Sequence, residues 1–324
     1  MCTKLFAKII QKMCFSFLKC INFLQKAEKF VANSGIVVPL QAKNRIMHSL
    51  RFGKRLVELT SPQVMGIVNI TPDSFSVHCS SCSEAEVLAS VSSMLQAGAD
   101  MIDVGGYSTR PGAAFVSEEE EWHRVSVALR AIRSAWKDVF ISLDTFRSSI
   151  AQKAIEQYDV QIINDVSGGQ WDERMYDIVS CARVPYILTH TRWITPSQES
   201  APACEDVVSE VLHFLEERLN RLHQMGVSDV IIDPGFGLGK SIEESYTLLR
   251  ELDVFQVLQC PVLAGMSRKS MLFKPLGITP AEALNATTAV NMLALSHGAD
   301  ILRVHDVLEA RQAVQLYQLT YPKD

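Results

Sequence analysis

The sequence predicts a parallel eight-stranded (β/α)8 barrel, the TIM barrel of the α/β class, and three observations predict it. A short run of β-favouring apolar residues recurs eight times along the chain. Each run stops at a polar residue, and each stop is followed by a loop and then an amphipathic stretch. Strands buried on both faces read as unbroken apolar runs, and barrels of this type gather their chemistry at the C-terminal strand ends. Such a barrel takes about 250 residues. A chain of 324 residues is therefore divided into an extension, 1–46, and one barrel domain, 47–324.

The extension differs in composition from the rest. Lysines stand at 4, 8, 12, 19 and 26 with no acid before Glu28, and Leu5, Ile9, Ile21 and Leu24 are spaced among them. The pattern fits a basic amphipathic helix or a loosely ordered segment. Lys19 interrupts the one apolar centre a signal peptide could use, arginine is absent where an organellar transit peptide would carry it, and no run is long enough to span a bilayer. No integral membrane association is expected. A net charge of −5 without a basic stripe argues against nucleic acid as a partner. Eight scattered cysteines fit a reducing compartment, so the expected location is cytoplasmic. Cys79 and Cys82, preceded by His78, lack a second pair at zinc-finger spacing and read as loop cysteines.

In chain order, Arg51 to Leu59 read as a hairpin capping the barrel bottom, and Ser61-Pro62 resets the chain for the first barrel strand, Val64 to Ile70. Asn69, at its end, supplies a neutral oxygen suited to Mg²⁺ or a phosphate-bound water. Ser83 with Glu84 and Glu86 starts a helix that Gly98 stops. The second strand, Met101 to Val104, leads into Gly105-Gly-Tyr-Ser-Thr-Arg-Pro-Gly112, where Thr109 and Arg110 offer a hydroxyl and a guanidinium to an anion. Ser117 and the acids after it begin the next helix. Strands three and four end at Asp144 and at Asn164-Asp165, strand five at His190, and a long helix runs from Glu205 to Met225 with His213 and His223 as ordinary surface or packing residues.

The sixth strand, Val230 to Ile232, reaches Asp233, and Pro234 with glycines at 235, 237 and 239 ends it. This loop matches neither a Walker-type phosphate loop nor a dinucleotide fingerprint. Strand seven runs into Gly265-Met-Ser-Arg-Lys-Ser270. After a helix over Ala281 to Ser296, strand eight delivers Arg303-Val-His-Asp306, where period-two alternation sets Arg303 and His305 to face one anion. An ion pair of one of them with Asp306 is the competing reading. Asp144, Asn164 and Asp233 then share the barrel mouth, a surface that accepts hydrogen bonds from a heterocycle with several N–H groups. The alternative for Asp144 and Asp165 is to cap the helices that follow them.

Met65-Gly-Ile-Val-Asn-Ile-Thr-Pro-Asp-Ser-Phe75, the 105–112 loop, Asp233-Pro-Gly-Phe-Gly-Leu-Gly-Lys240, Ser267-Arg-Lys269 and Arg303-Val-His-Asp306 together resemble the dihydropteroate synthase family of folate biosynthesis. The resemblance runs from Met47 to the C-terminus. It implies an enzyme that joins 6-hydroxymethyl-7,8-dihydropterin pyrophosphate to p-aminobenzoate, a target of sulfonamides and a homodimer. By carry-over, Asp144, Asn164, Asp233 and Lys269 bind the pterin, while Asn69 holds Mg²⁺ and, with Thr109, Arg110, Arg303 and His305, the pyrophosphate. Ser267, Arg110 and Leu238 meet the aminobenzoate, and Asp144, Lys269 and Arg110 carry the catalysis. The absence of a pyrophosphokinase segment before the barrel suggests a single-function, bacterial arrangement.

Four departures from the family pattern stand out. Ser76-Val-His-Cys79 replaces Ser-Asp-Gly-Gly, Tyr107 a Glu, Leu238 a Phe, and Thr189-His-Thr-Arg-Trp193 a Met-His-Met stretch. The altered first loop implies slow turnover and keeps a non-catalytic pterin-binding protein as the alternative. A barrel that moves methyl groups from a folate to a corrinoid is the other, although it has no use for the cations at 110 and 268–269.

Overall fold

The eight apolar runs form one ring of parallel strands. The structure is a computed structural model that describes residues 47–53, 55–70, 83–107, 115–193 and 205–322. Expectations about the 1–46 extension, His78, Cys79, Cys82, Thr109 and Arg110 lie outside the described residues. An antiparallel hairpin of β1 (Ser49–Phe52) and β2 (Arg55–Glu58) comes first. The ring follows with β3 (Gln63–Asn69), β4 (Met101–Gly105), β5 (Phe140–Asp144), β6 (Ile162–Asp165), β7 (Tyr186–Thr189), β8 (Val230–Asp233), β9 (Leu263–Ala264) and β10 (Ile301–Val304). β10 lies between β3 and β9, and a parallel bridge from Ile232 to Val262 closes the ring between β8 and β9.

Helices alternate with the strands: α1 (Glu84–Gln96), α2 (Glu118–Ala135), α3 (Ser148–Tyr158), α4 (Met175–Ala182), α5 (Val207–Gln224), α6 (Ile242–Arg250), α7 (Ser270–Leu276), α8 (Leu284–Ser296) and α9 (Val307–Thr320). Their starts follow local chemistry. Ser83 and Glu86 form a reciprocal capping box on α1, Ser241 and Glu244 do the same on α6, and Ser117 caps α2. Two expected starts move. Asp206 caps α5, so that helix begins at Val207, and Pro280–Glu282 form a 3₁₀ turn that delays α8 to Leu284. No helix among the described residues is long and apolar enough to cross a membrane.

Period-two alternation sorts the strand residues that face the barrel axis into tiers. The bottom tier is apolar: Met65, Met101, Ile162, Ile187, Ile231, Leu263 and Ile301 form one cluster with Phe140. Leu50 and Phe52 of the hairpin, with Leu59 after it, join that cluster and plug the lower end, as the sequence predicts. Burying each such side chain contributes about 1.5–3 kcal/mol. Two residues further along each strand the same parity selects Ile67, Asp103, Ser142, Asn164, Thr189, Asp233, Gly265 and Arg303, of which only Ile67 carries an apolar side chain. Two further on it selects Asn69, Gly105, Asp144, Ser267 and His305. The barrel is thus apolar at its base and polar towards its mouth.

Candidate functional site

The middle polar tier is joined by charge. Arg303 donates through Nε to Asp103 Oδ2 at 2.6 Å and through Nη2 to Asp144. Asn164 Nδ2 donates to the same Asp103 oxygen at 3.1 Å. Asp233 lies across the mouth, where a side chain built on Gly265 would meet Asp233 Oδ2 at 3.8 Å and Arg303 Cβ at 3.9 Å. Gly105 plays the same part opposite: its missing Cβ would lie 3.3 Å from Asp144 Cβ and 3.8 Å from Asn69 Oδ1. Glycines therefore keep space between the charged groups.

The loop after β8 brings in the second cation. Asp233 Oδ1 accepts from the Gly235 amide at 2.7 Å, which turns the chain back over the mouth. Phe236 O then accepts from Lys269 Nζ at 2.7 Å. Lys240 supports the loop from beneath, donating to Gly235 O at 2.7 Å and His190 O at 3.3 Å. Leu238 packs with Val166 and Trp193 in a small apolar cluster at the rim, against Trp171. Ser267 Oγ lies 3.0 Å from His305 Nδ1 and accepts from the His305 amide at 3.2 Å, so these two candidates are neighbours.

Burial sets the protonation of the mouth. It pushes Asp144 up to about 7, against the opposing pull of Arg303. Asp233 is also raised by burial, with Lys269 opposing. Burial lowers Lys269 to about 8, against the charge of Asp233, and lowers Lys240 to about 7. Burial works against the charge of Arg303 as well, but Asp103 and Asp144 outweigh it and hold that pKa above its ordinary value. The result is a mouth whose two acids are both raised by burial, Asp144 to about 7, beside a permanent cation. Such a set can accept hydrogen bonds from ring N–H groups and also face an anion.

Asn69 ends β3, partly buried, with its Oδ1 next to Gly105 and the Asp144 side chain. No cluster of three acidic, histidine or cysteine side chains that could cage a metal occurs among the described residues. A single neutral oxygen at a strand end is the kind of donor that would hold a hard cation beside its own waters.

The structure brings Asn69, Asp144, Asn164, Asp233, Leu238, Ser267, Lys269, Arg303 and His305 to one end of one barrel. Two alternative readings are overturned. Asp144 pairs with Arg303, and α3 has no side-chain cap. Asp306 pairs with Arg268 in a two-bond fork, not with Arg303 or His305. Asp165 accepts from Ser167 and Gly169 of its own loop and from Tyr186 of the neighbouring strand β7, so it is structural and caps no helix. His213 and His223 are exposed on α5, as expected.

Sequence reasoning missed Asp103, which is fully buried, and Lys240. The signal for Asp103 was one acid inside an apolar strand, since a buried carboxylate needs a partner. Beside the mouth, Arg147 pairs with the buried Glu121 and donates to Val116 O, while Arg192 is committed to Glu210 and Glu244. Neither arginine is a spare anion site.

A family model described as pterin binding enzyme matches residues 65–305. The chain is 37% identical over 266 residues to the dihydropteroate synthase of Escherichia coli (strain K12), covering 82% of this chain and 93% of that protein. Among solved structures it is similar to dihydropteroate synthase from Xanthomonas albilineans with 4-aminobenzoic acid, with a TM-score of 0.78 and 36% identity over 86% of this chain and 100% of that one. The same enzyme in complex with 7,8-dihydropteroate matches with a TM-score of 0.76 and 34% identity, over 86% of this chain and 100% of that one. The Yersinia pestis dihydropteroate synthase in a sulfonamide drug complex matches with a TM-score of 0.77 and 33% identity, over 84% and 98% of the two chains.

Proposed function

We propose residue roles from one premise: the chain belongs to the pterin-binding enzyme family and catalyses dihydropteroate synthesis. It joins 6-hydroxymethyl-7,8-dihydropterin pyrophosphate to p-aminobenzoate, giving 7,8-dihydropteroate and pyrophosphate. The observation that supports the assignment is the sharing of one opening by acids, an amide and two cations.

Asp144, Asn164 and Asp233 accept from the pterin ring, and Lys269 donates to it. Arg303 and His305 face the diphosphate, with Thr109 and Arg110 of the second loop assigned beside them by resemblance. Ser267 meets the aminobenzoate carboxylate together with Arg110, and Leu238 forms the apolar wall for its ring. Asn69 is the protein ligand for Mg²⁺, which supplies charge neutralisation for the diphosphate oxygens when bound.

The bond from the pterin methylene carbon to the diphosphate oxygen breaks, and the electron pair leaves with the diphosphate towards Arg303 and His305. The ionised Asp144 carboxylate stabilises the positive charge that develops on the pterin methylene. The aniline nitrogen of p-aminobenzoate then forms the new bond to that carbon and releases a proton. Lys269, Arg303 and Asp144 are fixed before charge separates, so they need little reorganisation during the step. Lys269 and Arg110 share this catalytic role with Asp144.

Residues 47–324 form the catalytic domain, with 1–46 as a separate extension. Leu293 on α8 and Leu308, Leu316 and Leu319 on α9 are more than half exposed, which supports a homodimer through these helices. The described cysteines, Cys181 and Cys260, are free thiols, in keeping with a cytoplasmic enzyme.

The test is turnover by purified protein given both substrates and Mg²⁺. Dihydropteroate should form, and Asp144→Asn should lower kcat by about 100- to 1,000-fold, as for loss of one preorganised electrostatic group. Unchanged turnover in that variant would remove Asp144 from the mechanism.

A further inference from the structure

The buried acid at the centre of β4 has no role in the account so far. Asp103 is 0% exposed, whereas its cationic partner Arg303 and the Asp144 that Arg303 also holds are 18% and 17% exposed. No substrate atom can touch Asp103. It nevertheless accepts from both Arg303 Nε and Asn164 Nδ2 on a single oxygen, Oδ2, and its Oδ1 has no hydrogen-bond partner among the described residues. A buried carboxylate with one unpartnered oxygen is costly, and removing it would leave the adjacent buried cation without its counter-charge.

We infer that Asp103 is a positioning residue that fixes Arg303 for the diphosphate and Asn164 for the pterin from beneath the site. The geometry separates the two edges of the guanidinium. Asp103 holds the Nε edge at 2.6 Å where nothing from solvent can displace it, while Asp144 holds the Nη2 edge at the cavity wall. An arriving diphosphate oxygen can take the Nη2 edge, which frees the Asp144 carboxylate for the pterin, and the arginine stays in register because its other edge is anchored. Asp103 only accepts, so it also compels the Asn164 amide to turn its NH₂ inward. The amide oxygen is then left as the acceptor for ring N–H groups.

This inference rests on the reading that Arg303 binds the diphosphate, and the experiment separates the two. Calorimetric affinity for inorganic pyrophosphate in the presence of Mg²⁺ would be measured for the wild type, Asp103→Asn, Arg303→Met and the double variant. Asp103→Asn should weaken binding by about 10- to 100-fold, the range for loss of one hydrogen bond to a charged group. In the Arg303→Met background the same change should add less than about 2-fold, because contacts that act through one partner are not additive. If Arg303→Met leaves pyrophosphate affinity intact, the reading of Arg303 fails. If Arg303→Met weakens binding but Asp103→Asn does not, or if its effect is equal in both backgrounds, the positioning role alone is overturned.

Arg303→Lys supplies a second measurement should Asp103→Asn fold poorly. It keeps the charge but has no planar fork to span two carboxylates, so it should lose most of the affinity that the methionine variant loses. Wild-type affinity in Arg303→Lys would also overturn the inference.

Discussion

Replacing Gly235 by alanine should damage stability and substrate binding together. Its φ is +71°, and a Cβ there would lie 1.8 Å from His190 O and 3.2 Å from Lys240 Nζ. To reach the 3.4 Å at which ordinary contact begins, loop and strand must separate by roughly 1.6 Å. That shift strains Gly235 N to Asp233, Lys240 to Gly235 O, and Lys269 to Phe236 O, each 2.7 Å in the native site. Left-handed backbone costs a non-glycine residue about 1–2 kcal/mol, and each weakened charge-assisted bond about 1 kcal/mol or more. The expected loss is about 3–5 kcal/mol.

Gly226 is the control, because its φ is +83° with nothing within 4 Å of the added Cβ. Gly226→Ala should cost only the backbone term, about 1–2 kcal/mol. Thermal unfolding should show Gly235→Ala lower by roughly 5–10 °C and Gly226→Ala by roughly 2–4 °C. Calorimetry, at a temperature where both are folded, should show weakened dihydropterin pyrophosphate binding in Gly235→Ala alone. Equal unfolding losses, or wild-type binding by Gly235→Ala, would refute the reasoning.

Other consequences follow from the same structure. Burial raises Asp144 to about 7, so its charged form is lost as pH falls below that value and kcat/KM should decline on the acid side; a flat profile down to pH ~5 would contradict this. The linked stability effect runs the other way. Between the ordinary carboxylate range and about 7 the folded protein holds a proton that the unfolded chain has released, so this group makes stability fall as pH rises through that window. Urea midpoints of Asp144→Asn should lack that slope. Arg268 has a φ of +56° between Ser267 and Lys269; Arg268→Gly should be more stable than Arg268→Ala by about 1 kcal/mol in urea unfolding, since both lose the Asp306 fork and only alanine keeps the strain. Glutamates in place of Leu316 and Leu319 should convert a dimer to a monomer in light scattering, and an unchanged mass would remove α9 from the interface.

The strand ends were legible in the sequence because a carboxylate or amide closing an apolar run is informative by itself. Asp144, Asn164 and Asp233 were found in that way, and Ser83 and Ser117 marked helix starts through local capping chemistry alone. Asp103 was not found because it lies inside the apolar run of β4 instead of closing it, and its partner Arg303 lies 200 positions away in sequence. Only closure of the ring, with β3 between β4 and β10, brings the two together. Periodicity reveals which residues share a face but not which strands are neighbours. The pairing of Asp306 with Arg268 was hidden for the same reason, since it depends on the approach of the segment after β9 to the start of α9. Lys240 reads as one more loop cation until its burial against two carbonyls is seen.

The central claim concerns how one opening is divided between ring and diphosphate. A crystal structure of the protein with dihydropterin pyrophosphate tests it most directly. The ring should be bonded by Asp144, Asn164, Asp233 and Lys269, with the diphosphate against the Nη2 edge of Arg303 and beside His305. A ring placed on the far side of Arg303, or a diphosphate contacting neither Arg303 nor His305, would contradict the account.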